Sequence, residues 1–162
     1  MSRTNFAMPV ALAVATLVSA CATPTPQPEP APPAPVAQNQ KLSSDSLFAF
    51  GKSSLENLSD EGRAQLDAFA ATLLGGRPYE MVHVIGHSDR IGNAKANIDL
   101  STRRAASVRD YLVQKGVPAN KVTAVGRGSV EPVVECEDKD REALIACLAP
   151  NRRVEIRVVS AQ

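Results

Sequence analysis

The chain has 162 residues, which leaves room for one compact domain and no second once targeting and linker sequence is set aside. Its 18 Lys and Arg nearly balance 17 Asp and Glu, so it has no basic field able to neutralise several phosphates, and charge argues against nucleic acid as a partner. With no Trp, two Tyr and four Phe, it also lacks the stacking platforms of a single-strand binder or an aromatic lectin, so a ligand must be held by polar groups.

The N-terminal segment reads as a processing signal. Ser2 to Asn5 form a short polar region with one cation at Arg3, followed by an apolar run, Phe6 to Val18, too short to span a bilayer. It ends in Val18-Ser19-Ala20-Cys21, a pattern similar to the lipobox of bacterial lipoproteins, which makes Cys21 the expected lipidated N-terminus. Ordinary cleavage after Ala22 is the competing reading. A multi-chain lipid anchor gives durable attachment where a single acyl chain holds only marginally. Ala22 rather than Asp after the cysteine implies sorting to the outer membrane, with the domain facing the periplasm.

Prolines then recur at 24, 26, 28, 30, 32, 33 and 35, which denies the stretch a helix or a ladder and favours extended polyproline II. At about 3.1 Å per residue such a tether reaches roughly 60 Å. The expected organisation is a signal peptide over 1–20, a lipidated cysteine and proline-rich linker over 21–45, and a folded domain over 46–162.

Within that domain, Leu47, Phe48 and Phe50 predict a short first strand ending near Gly51. Ser59 is placed to cap a helix that has Asp60 and Glu61 in its first turn and an apolar face of Leu66, Phe69, Ala70, Leu73 and Leu74; Gly75-Gly76-Arg77-Pro78 stops it. Tyr79 to His87 is strand-like, Asn97 to Lys115 is helical, and Lys121 to Gly126 forms a third strand. The last strand runs from Arg153 to Val159, alternating Val154, Ile156 and Val158 with charged residues. This alternation predicts a small α/β (α+β) sandwich, one mixed sheet packed against helices. Cys136 and Cys147 lie in the long loop before the last strand, and the secretory signal places them in an oxidising compartment, so they are expected to be bonded. A zinc site lacks enough nearby ligands.

The second long helix carries an anomaly: its inward stripe reads Leu100, Arg104, Val108, Leu112, with Asn97 seven residues before the arginine. A buried guanidinium needs a carboxylate from the protein or from a ligand. Asp89, in the turn leaving the second strand, is the candidate acid. Spacing alone leaves a structural Asp89–Arg104 bridge and a ligand site equally open.

Gly86-His87-Ser88-Asp89, then Asn97-x-x-Leu100-Ser101-x-x-Arg104-Ala105-x-x-Val108-x-x-x-Leu112, and finally Asn151-Arg152-Arg153-Val154-Glu155-Ile156, together resemble the OmpA-like peptidoglycan-binding domain family over roughly Ser46 to Ser160. Anchor plus domain is similar to the architecture of its lipoprotein members. The resemblance implies a βαβαβ-β fold and non-covalent binding of the diaminopimelate in the peptidoglycan stem peptide, tethering the outer membrane to the cell wall. It puts the key acid on Asp89 and the key base on Arg104, with Asn97 adding a hydrogen bond and Arg152 supporting the pocket. The chemistry fits, because diaminopimelate ends in one ammonium and one carboxylate, which a fixed acid and a fixed base read together. One departure is Gly51, where the family usually has Asp or Asn. The alternative the resemblance allows is a scaffold of the Tol–Pal kind that docks envelope proteins.

Catalysis, cofactors and metals are not expected. His87, Ser88 and Asp89 are consecutive on an extended chain and point to alternate faces, so they cannot form a relay. No G-x-S-x-G elbow occurs, and Gly126-Arg127-Gly128-Ser129 lacks the rest of a phosphate loop. His83 and His87 are separated by roughly 13 Å along a strand, too far for one metal ion to bridge. His87 is expected at the pocket rim.

Overall fold

The computed structural model describes residues 38–48 and 51–161. The expected signal peptide, Cys21, the proline-rich stretch and Phe50 lie outside the described residues. In chain order the elements are β1 (Gln38–Ser43), α1 (Ser44–Leu47), α2 (Asp60–Gly75), β2 (Tyr79–Gly86), α3 (Ala94–Gln114), β3 (Val122–Gly126), α4 (Arg141–Cys147) and β4 (Arg153–Ser160). The strands form one sheet in the order β1-β4-β2-β3, with β2 parallel to β3 and the other pairs antiparallel. It is a mixed-sheet α+β fold. Among the described residues no helix is long and apolar enough to cross a membrane.

Three elements differ from the sequence expectation, one of them α4, which forms within the segment read as a long loop. Ordered structure begins at Gln38, within the segment read as linker, because Gln38–Ser43 pairs with β4 along its whole length from Gln38↔Val158 to Ser43↔Arg153. This edge strand buries Leu42 but is otherwise polar, so it lacks the apolar alternation that marks a strand. Leu47 and Phe48 are fully buried, yet Leu47 ends α1 and Phe48 forms only an isolated bridge to Leu58 instead of a strand. An apolar run that short does not distinguish strand from helix.

The core lies between one sheet face and the two long helices. Val82 and Val84 of β2 and Val154, Ile156 and Val158 of β4 meet Leu66, Phe69 and Leu73 of α2 and Val108 and Leu112 of α3. α2 starts where expected: Ser59 Oγ accepts from Gly62 N at 2.9 Å, satisfying one of the free donors of the first turn. α3 is capped by Asn93, whose side chain accepts from Lys95 N and Ala96 N.

A parallel β2–β3 pair requires a crossover, and α3 is that crossover, which lays it across the sheet. It sits unusually close at one end. A Cβ on Gly86 would come within 2.1 Å of the Ser101 carbonyl oxygen, so only glycine allows this approach. Gly128 N donates to Ser101 Oγ at 3.0 Å and fixes the same contact. The N-terminal half of α3, which carries Asn97 and Arg104, is thereby pinned to the carboxyl end of β2.

Candidate functional site

Strand direction gathers the site. Because β4 runs antiparallel to both β1 and β2, the ends of β1 and β2 and the start of β4 share one edge of the sheet. Three charged residues flank those strand ends: Asp45 just after β1, Asp89 in the turn after β2, and Arg152 just before β4. Together with Asn97 and Arg104 of α3, Arg141 of α4 and Gly51, they line a cleft of about 250 Å³.

Arg152 is the organising group. Its Nε and Nη2 donate to Asp45 Oδ2 at 3.0 and 2.7 Å, its Nε also donates to Asp45 Oδ1 at 3.2 Å, and its Nη1 donates to Asp89 Oδ2 at 3.0 Å and to the Ile145 carbonyl at 3.0 Å. These partners, Asp45 above all, hold its pKa above the ordinary arginine value. With its planar fork committed to two carboxylates and a carbonyl, Arg152 acts as a positioning residue. Asp89 is thereby set in place, its Oδ2 on Arg152 and its Oδ1 accepting from Ile91 N at 2.9 Å.

Asn97 has a related role. It is buried, and its side-chain amide donates to the carbonyls of Asp89 at 3.1 Å and Ile91 at 3.2 Å, closing the turn that carries the acid. Its nitrogen is therefore occupied, and its carbonyl oxygen is the part that remains for a ligand.

Arg104 is different. It is 4% exposed, its Nε donates to the Lys52 carbonyl at 3.1 Å, and its guanidinium lies 5.8 Å from the Phe48 ring centroid. Among the described residues no carboxylate forms an ion pair with it, and burial pulls its pKa below the ordinary arginine value despite Asp45 and Asp89 nearby. Asp89 bridges to Arg152 and not to Arg104, which keeps a buried positive charge lining the cleft and forms no ion pair with a described carboxylate.

At Gly51 the backbone has φ +70° and a Cβ would meet nothing within 4 Å. Asn and Asp tolerate this left-handed conformation better than other side chains, so either would project into open space beside the cleft.

Sequence reasoning missed Asp45 and Arg141. Asp45 fell in a segment read as linker, although Ser43 caps the turn it begins by accepting from Asp45 N at 3.2 Å. Arg141 fell in a segment read as loop, although Asp140 caps α4 by accepting from Ala143 N at 2.8 Å. His87 does not line the cleft as expected. It is 1% exposed and both its ring nitrogens lack a hydrogen-bond partner, with Arg153, Glu155 and Glu131 as its charged neighbours; burial lowers its pKa and favours the neutral ring. His83 bonds Thr123 through Nδ1 at 2.7 Å. Cys136 and Cys147 are joined by a disulfide, so although Asp138 lies beside them, their sulfurs are not available to a metal.

A match to the OmpA family covers residues 47–145. Outer membrane protein A of Yersinia pseudotuberculosis is 52% identical over 121 residues, 72% of this chain and 33% of that protein, so the chain spans about a third of that relative's length. Among solved structures, the cell wall anchor of the T6SS from Pseudomonas aeruginosa is 32% identical with a TM-score of 0.61, covering 77% of this chain and 82% of that one. The peptidoglycan-associated lipoprotein from Burkholderia pseudomallei is 26% identical with a TM-score of 0.56, covering 75% and 89%. By sequence match and by fold alike, the chain belongs to the OmpA family.

Proposed function

We propose that this protein binds peptidoglycan non-covalently by gripping the amino-acid head of diaminopimelate in the cleft, and that it does so as a lipoprotein anchored in the outer membrane through Cys21. The observation that carries the reading is Arg104, a buried cation that forms no ion pair with any described carboxylate and shares a cleft with the fixed acid Asp89. The ligand carboxylate pairs with Arg104 and the ligand ammonium with Asp89. A plain lysine side chain has no carboxylate to offer and leaves Arg104 unpaired. Arg152 and Asn97 hold the acid in register without needing to touch the ligand. The relatives are consistent with this reading, since one is described as a cell wall anchor and another as peptidoglycan-associated. The chain is then organised as signal peptide 1–20, lipidated cysteine and linker from 21, and a domain whose first strand begins at Gln38.

The test is retention of the purified full chain on sacculi, with free diaminopimelate as competitor and Asp89→Ala and Arg104→Ala beside the wild type. Binding that the competitor and both substitutions abolish, in variants that remain folded, supports the reading. A folded wild type that does not bind sacculi refutes it and moves the envelope-protein docking role into first place. Mass spectrometry of the mature N-terminus checks the anchor: an unmodified chain starting at Thr23 removes it.

A further inference from the structure

The cleft carries more positive charge than a zwitterion requires. Its charged lining is Asp45, Asp89, Arg104, Arg141 and Arg152, three cations against two anions, a net of +1. Arg152 is shared between the two aspartates, whereas Arg104 and Arg141 form no ion pair with any described residue. A ligand head with one ammonium and one carboxylate leaves that excess charge uncompensated.

Arg141 is exposed, and the helix that carries it is held in a defined place. It opens α4, and Ile145, one turn later on the same helix face, lines the cleft with it. Near one end of the helix Asp140 caps Ala143 N, at the other end Cys147 is bonded to Cys136, and between them the Ile145 carbonyl accepts from Arg152 Nη1. The element that carries Arg141 is therefore tied to the guanidinium that positions Asp89.

We infer that Arg141 is a second carboxylate reader, so that the cleft takes a ligand with one ammonium and two carboxylates: a diaminopimelate head together with a neighbouring carboxylate of the same peptide stem. This rests on the diaminopimelate reading proposed above. Two groups on a stem have the required chemistry, the carboxylate that ends an uncrosslinked stem and the free carboxylate of the γ-linked glutamate that precedes diaminopimelate. An amidated or crosslinked stem that lacks the relevant group is held by the first pair alone.

The experiment measures affinity of the full chain by calorimetry for three synthetic stem peptides: the free acid, one amidated at the terminal carboxylate, and one amidated at the glutamate. The wild type is expected to lose about threefold to fivefold in affinity for one amidated peptide, as suits a partly solvated ion pair, and that peptide identifies the source. Arg141→Gln is expected to lose the same factor for the free acid and to bind all three alike, while Arg141→Lys restores part of the difference. The gap between free acid and amide narrows as salt rises. If neither amidation weakens the wild type, or if Arg141→Gln matches the wild type on all three peptides, the inference is wrong. Arg104→Gln in the same series separates the two claims: if it abolishes binding while Arg141→Gln has no effect, only the role of Arg141 falls, and if it binds like the wild type, the diaminopimelate reading falls.

Discussion

Replacing Arg104 by Met is expected to stabilise the ligand-free fold while destroying the site. Taking a guanidinium out of water costs several kcal/mol even after relaxation, and here Asp45 and Asp89, which attract it without forming an ion pair with it, offset that cost only in part. Its direct contacts add one charge-assisted hydrogen bond to the Lys52 carbonyl, on the order of 1.5–3 kcal/mol, and the contact with Phe48, about 0.5–2 kcal/mol. Methionine keeps the apolar stem in place, retains a sulfur–aromatic contact with Phe48, and frees the Lys52 carbonyl to take water at an exposed residue. The balance favours the variant by about 1 kcal/mol, a rise in melting temperature of roughly 3 °C for a domain of this size. Thermal and urea denaturation of the full chain measure it, with and without a diaminopimelate peptide. Ligand at about a hundred times its Kd adds about 2.7 kcal/mol to the wild type and nothing to the variant. A loss of more than about 2 kcal/mol on substitution would mean that Arg104 is part of the structural frame, and the case for an outward-looking cation would fail.

Other outcomes follow from the same geometry. Arg152→Ala leaves Asp89 without its cation and should cost about 2–3 kcal/mol in urea denaturation as well as abolishing binding, and Arg152→Lys should not rescue it because one ammonium cannot span Asp45, Asp89 and the Ile145 carbonyl. Gly51→Asn should raise affinity for a diaminopimelate peptide about fivefold, through one added hydrogen bond, at a stability cost of at most about 1 kcal/mol; unchanged affinity would show that the open space beside the cleft lies outside ligand reach. Reducing Cys136–Cys147, which closes a separation of 11 residues, should lower stability by roughly 3 kcal/mol. Acid should act in two stages. Burial depresses the His87 pKa below 6.5, so the stability that depends on its neutral form is fully present above pH 6.5 and is lost as pH falls through the folded value. Burial works to raise the Glu155 pKa, but hydrogen bonds from Arg157 and Arg153 outweigh it and hold the carboxyl at about 2 against 4.5, so a further contribution of about 3 kcal/mol disappears between pH 4.5 and 2. Stability–pH profiles of His87→Gln and Glu155→Gln check the two windows separately.

The parts of the fold that could be read in the sequence are those that carry their own periodicity. Leu66, Phe69, Leu73 and Val108, Leu112 mark helices at helical spacing, Val154, Ile156 and Val158 mark a strand, and each of these packs as its pattern requires. β1 and α4 are held by partners distant in the chain: β1 by its ladder with β4, α4 by a disulfide and by Arg152. β1 has too few apolar residues to announce itself, and the apolar run in α4 is too short to show a helical period. The site divides in the same way. Arg104 stood out because a charge on an apolar stripe is a local anomaly, but its lack of an acid was not readable, since the partner of Asp89 lies 63 residues away at Arg152.

The course of β1 has a mechanical consequence. The chain enters the sheet at Gln38 and leaves this strand at Ser43, beside Asp45 and Arg152, so the entry point and the cleft lie at opposite ends of one six-residue ladder. A pull between the preceding chain and a ligand in the cleft acts along β1 and strains its hydrogen bonds to β4 simultaneously, in shear. Had the chain entered from the cleft end, the same force would have opened those bonds one after another. The strand that sequence reading took for tether is thus the joint that would have to rupture as a unit before the domain gave way under tension.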